Sequence, residues 1–324
     1  MSLKRSLWKA AAASMDAAVA PSFGAPGYHA RRRLWPDPEL KVNLEGRTFV
    51  VTGANAGLGL ATTRGLVARA GAVVMACRSV ERAQTARDAL LKQHPRAKLE
   101  IEQVDMGDLA SVGALGRRLA GRRLDGLIHN AGMLVHERLF SPQKIELTFA
   151  VHVLGPFLLT RLLAGGLDGG GRLIFVSSGG MYTQKLELET LTTGLRRFDG
   201  PKVYAQSKRA QVILARRWSR VLEGRGIAVS AMHPGWADTQ GVRTALPGFH
   251  KATGNLLRTA AQGADTIVWL AASPQAAGAR GEFYFDREAR SAHAPMARTR
   301  SSNADQERLW SLCMDHTEPW LAPT

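Results

Sequence analysis

The chain has 324 residues, 45% of them hydrophobic and 22% charged, with two cysteines and a formal net charge of +16. That apolar fraction suits an ordinary globular core, a single α/β sheet covered on both faces absorbs this length, and no run reaches the roughly 18 uninterrupted apolar residues of a membrane span. Cys77 and Cys313 match no metal-ligand or disulfide-framework spacing, so no metal is expected and a reducing compartment fits; the basic pairs beginning at Arg32, Arg117, Arg196 and Arg216 are scattered without aromatic interleaving, which argues against nucleic acid.

Residues 1–45 have a composition of their own. Leu3, Leu7 and Trp8 combine with Lys4, Arg5 and Lys9 in a short Ala-rich helical pattern, followed by the Pro/Gly-broken stretch PSFGAPGYHARRRLWPDP. The pattern suits a helix lying on anionic headgroups. Poverty in acids also fits an organelle transit peptide, although Asp16, Asp37 and Glu39 dilute that signal. The expectation is an N-terminal arm that contributes peripheral membrane contact and no chemistry. The protein is then soluble or peripherally bound on the cytoplasmic side, with organelle targeting by the arm an open alternative.

From residue 46 to 324 one domain is expected. The β-rich runs TFVVT, AVVMAC, LEIEQVD, LDGLIHN, RLIFVSS, IAVSAMHP and EFYF alternate with longer helical patterns. Nearly continuous apolar runs are strands covered on both faces, and the long connections between them accommodate crossover helices. The pattern predicts a doubly wound Rossmann fold, a mostly parallel seven-stranded sheet flanked by helices. Residues 181–200 and 236–255 are expected as substrate loops.

The turn after the first run, TGANAGLG, leads straight into a helix pattern, so Gly53, Asn55, Ala56, Gly57, Leu58 and Gly59 are candidates to cradle a pyrophosphate at a helix N-terminus. At the end of the second run an acid would hold an unphosphorylated ribose; this chain has Arg78 and Ser79 instead. A guanidinium and a hydroxyl there predict NADP(H). Tyr204 and Lys208, four residues apart, share one helix face, where an ammonium favours the phenolate and lets it shuttle a proton.

With HNAG (Asn130, Ala131, Gly132), VSS ending at Ser178, YAQSK and HPGWADT in this order, the chain resembles the short-chain dehydrogenase/reductase family. The long gap between Ser178 and Tyr204 resembles its retinol-dehydrogenase-like branch. The resemblance implies Ser178, Tyr204 and Lys208 as the catalytic set and Lys208 on the nicotinamide ribose. It also implies Asp105, with Met106 beside it, at the adenine, and Pro234, Gly235 and Thr239 at the nicotinamide. The activity implied is interconversion of a carbonyl and an alcohol on a small lipophilic substrate. The sequence departs from the family at His152, where an Asn that anchors a proton-relay water is expected, and at His129, in place of the first Asn of NNAG. A neutral imidazole also offers one donor and one acceptor, so activity is expected where His152 is uncharged, with an acid limb set by its protonation. The alternative that His152 raises is a cofactor-binding sensor or scaffold with little turnover.

Overall fold

The computed structural model describes residues 19–192, 198–294 and 297–321. The apolar runs become strands β1 (Thr48–Thr52), β2 (Ala72–Cys77), β3 (Leu99–Gln103), β4 (Gly126–His129), β5 (Arg172–Val176), β6 (Ala228–His233) and β7 (Arg280–Phe285), paired in parallel in the order β3-β2-β1-β4-β5-β6-β7. Every residue of β4, β5 and β6 is buried, as strands covered on both faces require. The strand order reverses between β1 and β4, which opens a crevice beyond their carboxyl ends.

An eighth strand, β8 (Glu288–Arg290), pairs antiparallel with β7 at the sheet edge. The expected sheet had seven strands because the turn carries no Asn-Gly signal. Its two residues, Asp286 and Arg287, nevertheless both hold positive φ, 50° and 63°, the geometry of a tight two-residue hairpin. Side-chain bonds compensate for that conformation: Arg287 forms an ion pair with Asp265 at 2.7 Å, donates to the Asp37 carbonyl at 2.7 Å, and stacks over Trp35.

One face of the sheet packs on the helices Leu109–Leu119, Gly155–Leu163 and Gly200–Val221, the other on Gly57–Val67 and Ala260–Ala272. Leu147–Leu167 is, among the described residues, the one helical stretch long and apolar enough to cross a membrane, but 83% of its most apolar window lies inside the fold. It is a core helix.

Residues 19–45, set apart by their composition, are tied into the body. Arg31, Asp286 and Arg258 form a buried cluster: Arg31 Nε lies 2.6 Å and Arg258 Nη2 2.9 Å from Asp286 Oδ2. Burial alone would raise the Asp286 pKa, but the two guanidiniums hold it below the ordinary value. Arg258 also donates to the Ser22 and Gly24 carbonyls, and Trp236 N–H donates to the Phe23 carbonyl at 2.8 Å. The N-terminal segment is thereby fixed beside the start of the 236–255 region, which itself carries two short helices, Gln240–Ala245 and Pro247–Thr253. The apolar and basic residues expected to meet a membrane, Leu3 to Lys9, lie outside the described residues.

Candidate active site

The glycine turn follows β1 directly. Gly53 and Gly57 hold φ of 68° and 51°, and a Cβ on Gly59 would overlap the Gly53 carbonyl, so the turn has this shape only with glycine at these positions. The helix Gly57–Val67 starts at Ala56 without a side-chain cap, leaving its first amides and positive dipole end facing the crevice. Thr52 Oγ1 accepts from the N–H groups of Asn130 and Ala131, each at 3.0 Å, and Asn130 Nδ2 donates back to the Thr52 carbonyl at 2.9 Å. These bonds lock the HNAG end of β4 to the glycine turn. Leu58 packs against Gly263 of the helix Ala260–Ala272 on the same side of the sheet, and Thr239 lies against Gly57. The cradle fits a dinucleotide pyrophosphate.

Arg78 and Asp105 stand at the ends of β2 and β3, 4.0 Å apart, with side chains 65% and 41% exposed. Ser79 caps the helix Val80–Gln93 through its oxygen, leaving its hydroxyl hydrogen free to donate. Met106 is buried, and its carbonyl faces Gly155 too closely for any side chain there. Gly235, with φ of 76°, passes Arg258 so closely that a Cβ would strike the guanidinium. Arg258 thus fixes the Pro234–Gly235 turn from behind.

Ser178, Tyr204, Lys208 and His152 come together at the carboxyl end of β5. The Tyr204 hydroxyl is hydrogen-bonded to Ser178; burial pushes the phenol pKa above its ordinary value and the Ser178 bond offsets part of that rise. Ser177, the neighbouring serine, is instead committed to the Lys208 carbonyl at 2.8 Å. Lys208 is buried, with Nζ 5.7 Å from the Tyr204 ring centroid, and desolvation lowers its pKa to about 7. Burial therefore outweighs the ammonium effect expected on Tyr204, and the phenol stays protonated at neutral pH in this state.

His152 is fully buried, and its partners define its tautomer. Nε2 accepts from Met133 N–H at 2.9 Å, so the proton resides on Nδ1, which donates to Ser207 Oγ at 2.7 Å; Ser207 in turn donates to the Tyr204 carbonyl. Desolvation, with Lys208 adding to it, holds its pKa well below the ordinary imidazole value. The acid limb expected from His152 protonation is revised accordingly: the imidazole is neutral across the physiological range. Its ring packs edge-on against Tyr204.

His129 and His233 are likewise buried, and desolvation lowers both to about 3. An unfolded histidine binds a proton below about pH 6.5 and the folded ones do not, so each contributes stability that falls as pH drops from 6.5 toward 3, by ~1.4 kcal/mol per pH unit. His129→Gln keeps a donor for Thr160 Oγ1, the 2.8 Å partner of His129, and should flatten the acid dependence by that amount. Urea unfolding at pH 7, 6 and 5 checks this. Equal slopes in the two proteins would refute it.

Two contributors escaped the sequence reading. Gln211 lies three residues past Lys208 on the same helix face and bonds to it; the helical spacing was the available signal. Arg209 is buried and donates to the carbonyls of Met181, Gln184 and Ala292, pinning the chain after Ser178. Of the expected 181–200 loop, residues 188–192 are helical and 193–197 lie outside the described residues.

The fold and this constellation define a nicotinamide-cofactor oxidoreductase, and the chain belongs to the short-chain dehydrogenase/reductase family, whose short chain dehydrogenase model matches residues 47–247. It is 40% identical to dehydrogenase/reductase SDR family member 12 of Bos taurus, over 87% of this chain and 90% of that one. Retinol dehydrogenase 13 of Homo sapiens is 32% identical, over 84% of each chain. A crystal structure of an uncharacterized protein from Mycobacterium paratuberculosis superimposes with a TM-score of 0.69 at 27% identity, over 88% of this chain and 97% of that one.

Proposed function

We propose that the protein is an NADP(H)-dependent oxidoreductase interconverting a carbonyl and an alcohol on a small lipophilic substrate. The observation that carries this reading is the buried Lys208 beneath Tyr204, whose hydroxyl meets Ser178, next to a glycine turn shaped for a dinucleotide. When bound, the nicotinamide supplies or accepts the hydride. In reduction, the protonated Tyr204 hydroxyl gives its proton to the carbonyl oxygen as charge develops there, and Ser178 Oγ hydrogen-bonds the same oxygen. Gly53, Asn55 to Gly59, Asn130 to Gly132, Lys208, Pro234, Gly235 and Thr239 hold the cofactor, and Asp105 and Met106 flank the adenine. Beside Ser178, the rings of Tyr182, Phe23, Trp236 and Phe249 form a continuous row with centroids 6.4, 6.0 and 4.9 Å apart, which favours a lipophilic substrate. Both ring nitrogens of His152 are taken by Met133 N–H and Ser207 Oγ, so the imidazole holds no relay water, and it is the meeting of Ser178, Tyr204 and Lys208 that favours turnover over a low-turnover cofactor-binding role.

The test is NADPH oxidation by the purified protein over a panel of retinal, steroid ketones and straight-chain aldehydes. Binding of NADPH with no turnover across the panel would overturn the enzyme reading. For the cofactor, Arg78→Ala should weaken NADPH about tenfold and leave NADH unchanged. This is the low end for a charge-assisted phosphate contact because Arg78 is largely exposed. Fluorescence titration of both cofactors measures it, and an equal loss for the two would remove Arg78 from the 2′-phosphate.

A further inference from the structure

The His152 carbonyl lacks its ordinary α-helical donor. Its partner one turn on would be the N–H of residue 156, but Pro156 has none, and the chain widens into a π turn over Ala150–Leu154 just before it. The carbonyl instead accepts from Gln211 Nε2 at 2.8 Å. The other end of the same amide, Oε1, accepts from Lys208 Nζ at 3.2 Å, while Nζ also donates to the Val176 carbonyl at 2.9 Å. Gln211, Lys208 and His152 are all at most 3% exposed. A water between an ammonium and a carbonyl must accept from one and donate to the other, and the carboxamide does both at once.

We propose that Gln211 is a positioning residue whose side-chain amide occupies the place of a bridging water between Lys208 and the His152 carbonyl. This rests on reading Tyr204 and Lys208 as the reacting pair. The substitution has a chemical consequence. Water exchanges protons with the bulk, whereas a carboxamide is neither an acid nor a base near neutral pH. Lys208 is therefore held but closed off on this side, and Tyr204 is reprotonated from the crevice. The titratable groups beside Lys208 are Tyr204 and His152, and His152 is held neutral by burial, with Lys208 adding to it, while Met133 N–H fixes its tautomer.

Three variants in the NADPH-loaded protein separate this role from packing. Gln211→Met fills the space with apolar atoms and should lower kcat for nonanal reduction about tenfold or more, with KM within about twofold. Gln211→Ala leaves a gap lined by an ammonium and a carbonyl, polar enough to admit water, and should lose several-fold less kcat than Gln211→Met. A packing role predicts the reverse order, so a Met variant as active as the Ala variant overturns the proposal. Independently, NMR titration of the Lys208 Nζ should move to higher pH in Gln211→Glu, where a carboxylate stabilises the ammonium, and to lower pH in Gln211→Met, where the acceptor is lost. A titration unmoved in both overturns it as well. If the parent chain reduces no carbonyl, the Lys208 titration alone decides, and the two failures stay distinguishable.

Discussion

Tyr204→Phe is expected to cut carbonyl reduction about 10³-fold while leaving NADPH affinity within about twofold, the middle of the range for losing a positioned proton donor. The substitution removes one atom. The ring keeps its edge contact with His152 and its place over Lys208, so packing and the cofactor cradle survive. What is lost is the hydroxyl bonded to Ser178, whose pKa burial has raised, so that it carries its proton at neutral pH and has it to give. The same rise places the phenolate needed for alcohol oxidation at higher pH, and oxidation should gain with alkalinity while reduction does not. Steady-state rates in both directions, with a fluorescence titration of NADPH, check the result. A Phe variant retaining a tenth of parental turnover would remove Tyr204 from the chemistry.

Asp286→Asn is expected to destabilise the fold by about 3–5 kcal/mol, the cost of leaving buried charge without its counter-ion. Asn tolerates the positive φ of 50° at this position and keeps one acceptor, so the turn between β7 and β8 is spared and the charge is isolated as the cause. Arg31 and Arg258 then face each other's charge with a neutral amide between them, both at most 3% exposed. Residues 19–32 should loosen before the sheet does. Urea unfolding gives the energy, and limited proteolysis between Phe23 and Arg33 reports the loosening. A loss below about 1 kcal/mol would show that solvent or a nearby group already compensates the two cations.

The parts of the site legible in the sequence are those whose chemistry is local. The glycine turn after β1, the Tyr204/Lys208 spacing and the missing acid after β2 each lie within one strand-turn or one helical turn, so order along the chain was enough. Arg31 gave no such signal: its partner is Asp286, at the opposite end of the sequence, and composition alone made its segment look like an appendage. His152 was legible as a departure but not as a neutral one, because its state depends on Met133 N–H and Ser207, which only the fold brings to it. The protonation of Tyr204 was not legible for a similar reason. Spacing shows that an ammonium is near but not how deeply both groups are buried, and here desolvation dominates.

The pairing of Arg31 with Asp286 also sets an order of events during synthesis. The two residues are 255 positions apart, so at ~5–20 residues per second the guanidinium emerges about 13–50 s before its carboxylate exists. Arg258, which holds the Ser22 and Gly24 carbonyls, arrives almost as late. By then β1 to β5, the glycine turn and the Tyr204 helix have all been translated. Residues 19–32 are therefore among the last to dock, and through most of translation they remain open to any partner that meets the nascent chain.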